Sequence, residues 1–131
     1  MKPALAPYAA LKKPKHLVSK FPITTMREFD AQQLEHHLKN TDSCPLLLDV
    51  RQDWEYDICR LEDSLLIPMA QIPAELNELD KDRETVVICH HGIRSRQIGY
   101  YLEQAGFTNV INLNGGLDAW ARIIDKNMAT Y

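Results

Sequence analysis

Glu84-Thr85-Val86-Val87-Ile88-Cys89-His90-His91-Gly92-Ile93-Arg94-Ser95 is the stretch on which the fold turns. Its first five residues form an apolar, β-branched run, short enough to be a buried strand. Beyond it, Ile98, Tyr101, Leu102 and Ala105 recur at helical spacing, and Gly106 suits the C′ position. The pattern predicts a strand, a short loop and a helix starting near Arg94 or Ser95, with a cysteine where strand becomes loop. That arrangement aims backbone N–H groups and a helix N-terminus at one sulfur, and such groups stabilise negative charge. A free thiol titrates near ~8.5, and surroundings of this kind can lower a thiol enough to give thiolate at neutral pH. Cys89 is the candidate nucleophile.

Outward from this stretch, Leu46-Leu47-Leu48-Asp49-Val50 is a continuous apolar run without alternation, the pattern of a parallel strand covered on both faces. It ends in Asp49-Val50-Arg51, so charge again gathers at a strand's C-terminal end, where open α/β sheets place ligands. Gln52 to Asp57 reads as a turn into a short helix, and Ser64-Leu65-Leu66-Ile67-Pro68 as another short strand. Pro73 suits a first helical turn, with Ile72, Leu76 and Leu79 on one side. Asn109 to Leu113 is a last strand, and Gly115-Gly116 leads into a helix with Leu117, Trp120, Ala121 and Ile124 on one face. Earlier, Phe21-Pro22-Ile23-Thr24 reads as an edge strand. Thr25 and Glu28 form a T-x-x-E capping box, predicting a helix to about Lys39 with Met26, Phe29, Leu34 and Leu38 inward. The order predicts one α/β domain, a mostly parallel sheet with helices on both faces.

The 131 residues suit a single core, here residues 21–131. Residues 1–20 hold five lysines, three prolines and no acid, and read as a basic, solvated arm. The remainder carries −8 of the net −3 charge, which argues against a nucleic-acid face. No apolar run approaches a membrane span of ~20 residues, and no secretory signal is visible. Three cysteines (Cys44, Cys59, Cys89) without C-x-x-C spacing point away from a disulfide framework or zinc site, and toward a reducing, cytoplasmic setting. Cys44 and Cys59 read as structural, with a relay role for Cys59 as the alternative. His36 and His37 are adjacent on the expected helix and make a poor metal pair.

Within the loop, Gly92 permits a positive φ or close backbone approach, and Arg94 is a permanent cation able to hold an oxyanion bidentately. Arg51 and Glu55, four apart at a strand end, are expected to pair and fix their loop. Asp49 is expected to accept backbone hydrogen bonds near the site, and Trp54 and Trp120 to pack in the core or at its rim.

Cys89 to Ser95 resembles the C-x-x-G-x-R-S loop of the rhodanese-like domains, the thiosulfate sulfurtransferase family. The resemblance covers roughly residues 22–125. It includes Asp49-Val50-Arg51 with Trp54-Glu55-Tyr56, Leu66-Ile67-Pro68, and Gly115-Gly116-Leu117-Asp118-Ala119-Trp120. Where the family often has G-H-I-P-G-A, this chain has Cys59-Arg60-Leu61-Glu62-Asp63-Ser64, which puts the local turn in question.

The resemblance implies a sulfurtransferase with Cys89 accepting sulfur as a persulfide, and with His90, His91, Gly92, Ile93, Arg94 and Ser95 around the substrate. Asp49, Arg51 and Glu55 would support them. It implies no metal and no cofactor, a small sulfur donor such as thiosulfate, and a thiol, cyanide or sulfur-carrier protein as acceptor, in a monomer or homodimer. His90 or His91 either adds positive charge below about pH 6.5 or points to solvent. Two other readings stand beside it: a non-catalytic binding module, and a phosphatase. The phosphatase loop resembles C-x5-R, one residue longer than the C-x4-R found here, and the tighter loop favours one sulfur atom over a phosphate.

Overall fold

A computed structural model describes residues 24–131. The basic arm and most of the expected Phe21–Thr24 strand lie outside these residues. The chain runs β1 (Arg27–Phe29), α1 (Ala31–Asn40), β2 (Leu46–Asp49), α2 (Asp53–Ile58), β3 (Leu65–Leu66), α3 (Ile72–Glu75), β4 (Thr85–Ile88), α4 (Ile93–Gln104), β5 (Val110–Leu113) and α5 (Gly116–Ile123), with 3-10 turns either side of α3. The five strands form one sheet in the order β1-β5-β4-β2-β3, and every pairing is parallel.

β4 lies at the centre and is buried along its whole length. Alternation along the strand sends successive side chains to opposite faces. Val87 and Cys89 join Leu48, Val50, Ile72, Ile98 and Leu102 beneath α3 and α4. Val86 and Ile88 join Leu34, Ile111, Leu113, Leu117 and Trp120 beneath α1 and α5. Cys89 is therefore presented on the face covered by the helix that follows it.

The first helix begins later than the Thr25–Glu28 box predicts. Residues 27–29 pair with Ile111 to Leu113 as an edge strand, and α1 starts after Asp30. Asp30 forms the capping box, accepting from Gln33 N while Gln33 Oε1 accepts from Asp30 N, both at 2.8 Å. Thr25 instead bonds Glu103 Oε2 through its amide and hydroxyl, at 3.1 and 3.0 Å. Met26 and Phe29 pack into opposite layers, as odd spacing in an extended chain allows.

The turn that departs from the family's pattern is accommodated. Cys59 is extended at φ −161°, a conformation open to any residue, while the left-handed position falls on Asp63 at φ 65°. Aspartate tolerates that region better than most residues. Cys44, expected to be structural, has an exposed side chain, and its carbonyl accepts from Arg83.

Candidate active site

Cys89 follows β4 directly and is 1% exposed. Gly92 caps the start of α4 with φ +97°, and this left-handed turn bends the loop back on the sulfur. Gly92 N donates to Sγ at 3.1 Å and Ser95 N at 3.3 Å. Ser95 Oγ lies 3.3 Å from the same sulfur. Two amides thus donate to one sulfur at the start of a twelve-residue helix, a setting suited to negative charge.

A buried polar chain supports this cradle. Asn112 Nδ2 donates to Glu28 Oε1 (2.8 Å) and to the Gly92 carbonyl (3.2 Å), which turns Oδ1 toward the Ser95 hydroxyl. The Ser95 proton goes to Asn112, leaving Ser95 Oγ to accept from a protonated Cys89. Glu28 is in turn held by Arg96 Nε at 2.9 Å. The sequence did not place either residue at the site: Glu28 reads there as part of a helix cap, and Asn112 only as part of a strand. The available signal was one amide inside the otherwise apolar Val110 to Leu113 run, since a buried polar side chain needs partners.

The loop is braced from behind. Its carbonyls at Cys89 and His90 accept from Leu117 N and Asp118 N of α5, both at 3.0 Å. A Cβ on Gly116 would sit 2.3 Å from the His90 carbonyl oxygen, so only glycine allows this approach.

The expected Arg51–Glu55 side-chain pair does not form. Arg51 is fully buried and grips Asp49, Nε to Oδ1 at 2.9 Å and Nη2 to Oδ2 at 2.7 Å. Its remaining donors reach the carbonyls of Glu55 (3.2 Å) and Cys59 (2.6 Å). Asp49 Oδ1 also accepts the Arg51 backbone N–H at 3.0 Å. Glu55 is left for Arg94, which meets it bidentately at 2.7 and 2.8 Å. Proximity in sequence pointed to the wrong partner. β2 and β4 are paired neighbours, with Asp49 opposite Ile88, and this brings α2 beside the Cys89 loop. The Arg94 hydrogen bonds, helped by Gln52 N and Tyr131, hold the Glu55 carboxyl at about 2 against the opposing effect of burial.

The His90 and His91 rings lie 4.0 Å apart between centroids, tilted by 59°, and Tyr131 covers His90 at 4.1 Å. Burial lowers the His90 pKa, and the neighbouring His91 adds to this, so His90 carries less charge below pH 6.5 than the sequence suggested. Its Nδ1 is buried with no hydrogen-bond partner among the described residues. His91 is exposed, with Nε2 3.7 Å from Asp118 Oδ2. Ile93 is 63% exposed and Trp54 59%, at the rim, while Trp120 is in the core. The Cys59 thiol lies 3.8 Å from Arg51 Nη1. Among the described residues no helix is long and apolar enough to cross a membrane.

Comparison with known proteins agrees with this geometry. The sequence profile of the rhodanese-like domain matches residues 30–123. A sulfurtransferase of Allochromatium vinosum is 40% identical over 97 residues, covering 74% of this chain and 90% of that protein. The adenylyltransferase and sulfurtransferase MOCS3 of Arabidopsis thaliana is 34% identical over 66% of this chain, which spans only 22% of that longer protein. Among solved structures, a rhodanese-like domain protein from Staphylococcus aureus superposes with a TM-score of 0.67 at 32% identity, over 72% of this chain and 91% of its own. With the profile matched from the cap of α1 to the end of α5, and with a relative of similar length at that identity, the chain belongs to the rhodanese-like domain family.

Proposed function

We propose that this protein is a sulfurtransferase working through a persulfide on Cys89. The Cys89 thiolate attacks the outer sulfur of a donor such as thiosulfate. The donor S–S bond breaks, sulfite leaves with the bonding pair, and Cys89 carries an anionic terminal sulfur. A thiol, cyanide or carrier-protein nucleophile then takes that sulfur and returns the Cys89 thiolate. Two displacements through a covalent intermediate give ping-pong kinetics. No metal or cofactor enters either step. On this reading the partners are small sulfur donors and thiol acceptors rather than nucleic acid or membrane, in a cytoplasmic setting.

The observation that carries the reading is the convergence of the Gly92 and Ser95 backbone amides on Cys89 Sγ, at 3.1 and 3.3 Å. Fixed donors of this kind stabilise charge as it develops, on the thiolate and then on the persulfide. The resemblance to the A. vinosum sulfurtransferase supports it. After incubation with thiosulfate, intact mass should rise by one sulfur atom, and cyanide should remove it as thiocyanate. Cys89→Ser should abolish both, while Cys44→Ser and Cys59→Ser retain most activity. Full activity in Cys89→Ser would overturn the assignment. Failure of every donor to load Cys89, together with tight capture of a protein partner, would favour a binding module.

A further inference from the structure

Tyr131 lies 42 residues beyond Cys89 in sequence, yet its ring and hydroxyl sit in the site. Its hydroxyl accepts from Arg51 Nη1 at 3.0 Å and donates to Glu55 Oε1 at 2.8 Å. The ring rests on His90 at 4.1 Å and 31°, and meets the edge of Trp54 at 5.6 Å and 70°. With Cys59, Leu117, Asp118, Ala129 and Thr130, it closes a small pocket beside His90. These contacts join two ion pairs that, among the described residues, otherwise share only the Arg51 bond to the Glu55 carbonyl: Arg51–Asp49 at the end of β2, and Glu55–Arg94 at the Cys89 loop.

Each Glu55 oxygen has two donors. Oε2 takes Arg94 Nη1 and Gln52 N; Oε1 takes Arg94 Nη2 and Tyr131. Without the Tyr131 hydroxyl, Oε1 would depend on Arg94 alone. The carboxylate would then claim more of the Arg94 charge, and it would be free to turn about its remaining anchor at Gln52. Both changes weaken the positive field that Arg94 offers to an anion at Cys89. Burial pushes the Tyr131 phenol up to about 12, so it remains a donor throughout the neutral range.

We propose that Tyr131 is a positioning residue for the Cys89 loop, its hydroxyl fixing the carboxylate that orients Arg94 and its ring seating His90, and that it thereby favours anionic reagents at the sulfur. Its relevance to sulfur donors rests on the sulfurtransferase reading, but its effect on Cys89 does not.

The test uses the full chain carrying Cys44→Ser and Cys59→Ser, so that only Cys89 is alkylated. The rates with iodoacetate, an anion, and iodoacetamide, its neutral analogue, are followed by intact mass. Tyr131→Phe keeps the ring and removes only the hydroxyl. It should lower the iodoacetate-to-iodoacetamide rate ratio by about threefold or more, a fraction of one charge-assisted hydrogen bond. In a Glu55→Gln background the same change should have no further effect, because the path through Glu55 is already cut. If the wild type loads sulfur, Tyr131→Phe should also raise the KM for thiosulfate more than it lowers kcat. An unchanged alkylation ratio in Tyr131→Phe, or an undiminished effect beside Glu55→Gln, would overturn the proposal. A wild type that never forms a persulfide would instead overturn the sulfurtransferase reading, with the alkylation result still standing.

Discussion

Arg94 and Glu55, 39 residues apart in sequence, meet through two parallel hydrogen bonds of 2.7 and 2.8 Å. The cation of the Cys89 loop is thus held by an acid from the turn after the neighbouring strand. This joins α2 to α4 across the C-terminal edge of the sheet. A fork-to-fork pair fixes direction as well as distance, so Lys could not replace Arg94 here without loss.

The pair has a pH signature. Glu55 sits at about 2, below its ordinary 4.5, so its contribution to stability is complete above pH 4.5 and is lost as pH falls toward 2. Its size is roughly 3 kcal/mol at most. Urea unfolding of wild type over this range should show the loss. Glu55→Gln should be destabilised at pH 7 and should lack this component of the slope. A parallel slope in the variant would show that Glu55 does not titrate in this way.

His90 contributes in a different window. Its lowered pKa means that the folded state resists protonating it, so stability declines as pH drops below about 6.5. Followed by NMR, the His90 ring should titrate below 6.5. A midpoint at or above that value would contradict the burial seen here.

Two glycines separate backbone freedom from space. Gly106, at φ +103°, has only the end of the Lys81 side chain near its missing Cβ, so Gly106→Ala should cost about 1 kcal/mol. Gly116→Ala drives a methyl into the Cys89 and His90 carbonyls, and should cost about 3 kcal/mol or more and slow alkylation of Cys89. Chemical unfolding of both variants decides the matter. Equal costs would mean that the loop yields.

Asn112→Ala should leave the Gly92 carbonyl and the Ser95 hydroxyl each short of a partner in a buried site. A loss of about 2–3 kcal/mol is expected. Amide exchange at Gly92 and Ser95 should accelerate more than at the centre of β4. Exchange that rises evenly across the sheet would point to general loosening instead.

The sheet was legible because its inner strands are rich in β-branched residues or leucine, and because Gly92 and Gly106 punctuate α4 where a left-handed residue is needed. The start of α1 was not. Thr25–Glu28 and Asp30–Gln33 offer rival capping boxes, and pairing of residues 27–29 with β5 decides between them. Cys89, Gly92 and Ser95 could be read as one local motif. The Arg94–Glu55 partnership could not, since a four-residue spacing made Arg51 the nearer choice. Tyr131 gave no signal at all, because its role comes from a tertiary contact 76 residues from Glu55.

The loop peptide groups have a fixed polarity, with carbonyls at Cys89 and His90 turned onto α5 and amides at Gly92 and Ser95 turned onto the sulfur. Reversing the Cys89 or His90 peptide would break its bond to α5, so the receptor for a negative charge is assembled during folding. The donor dipoles then need little rearrangement when charge arrives, and low reorganisation energy follows. On the sulfurtransferase reading proposed above, the same scaffold would serve a sulfur anion and the longer anion formed by adding a second sulfur. Between those two states the charge would move along a chain of sulfur atoms, before donors whose direction is already set.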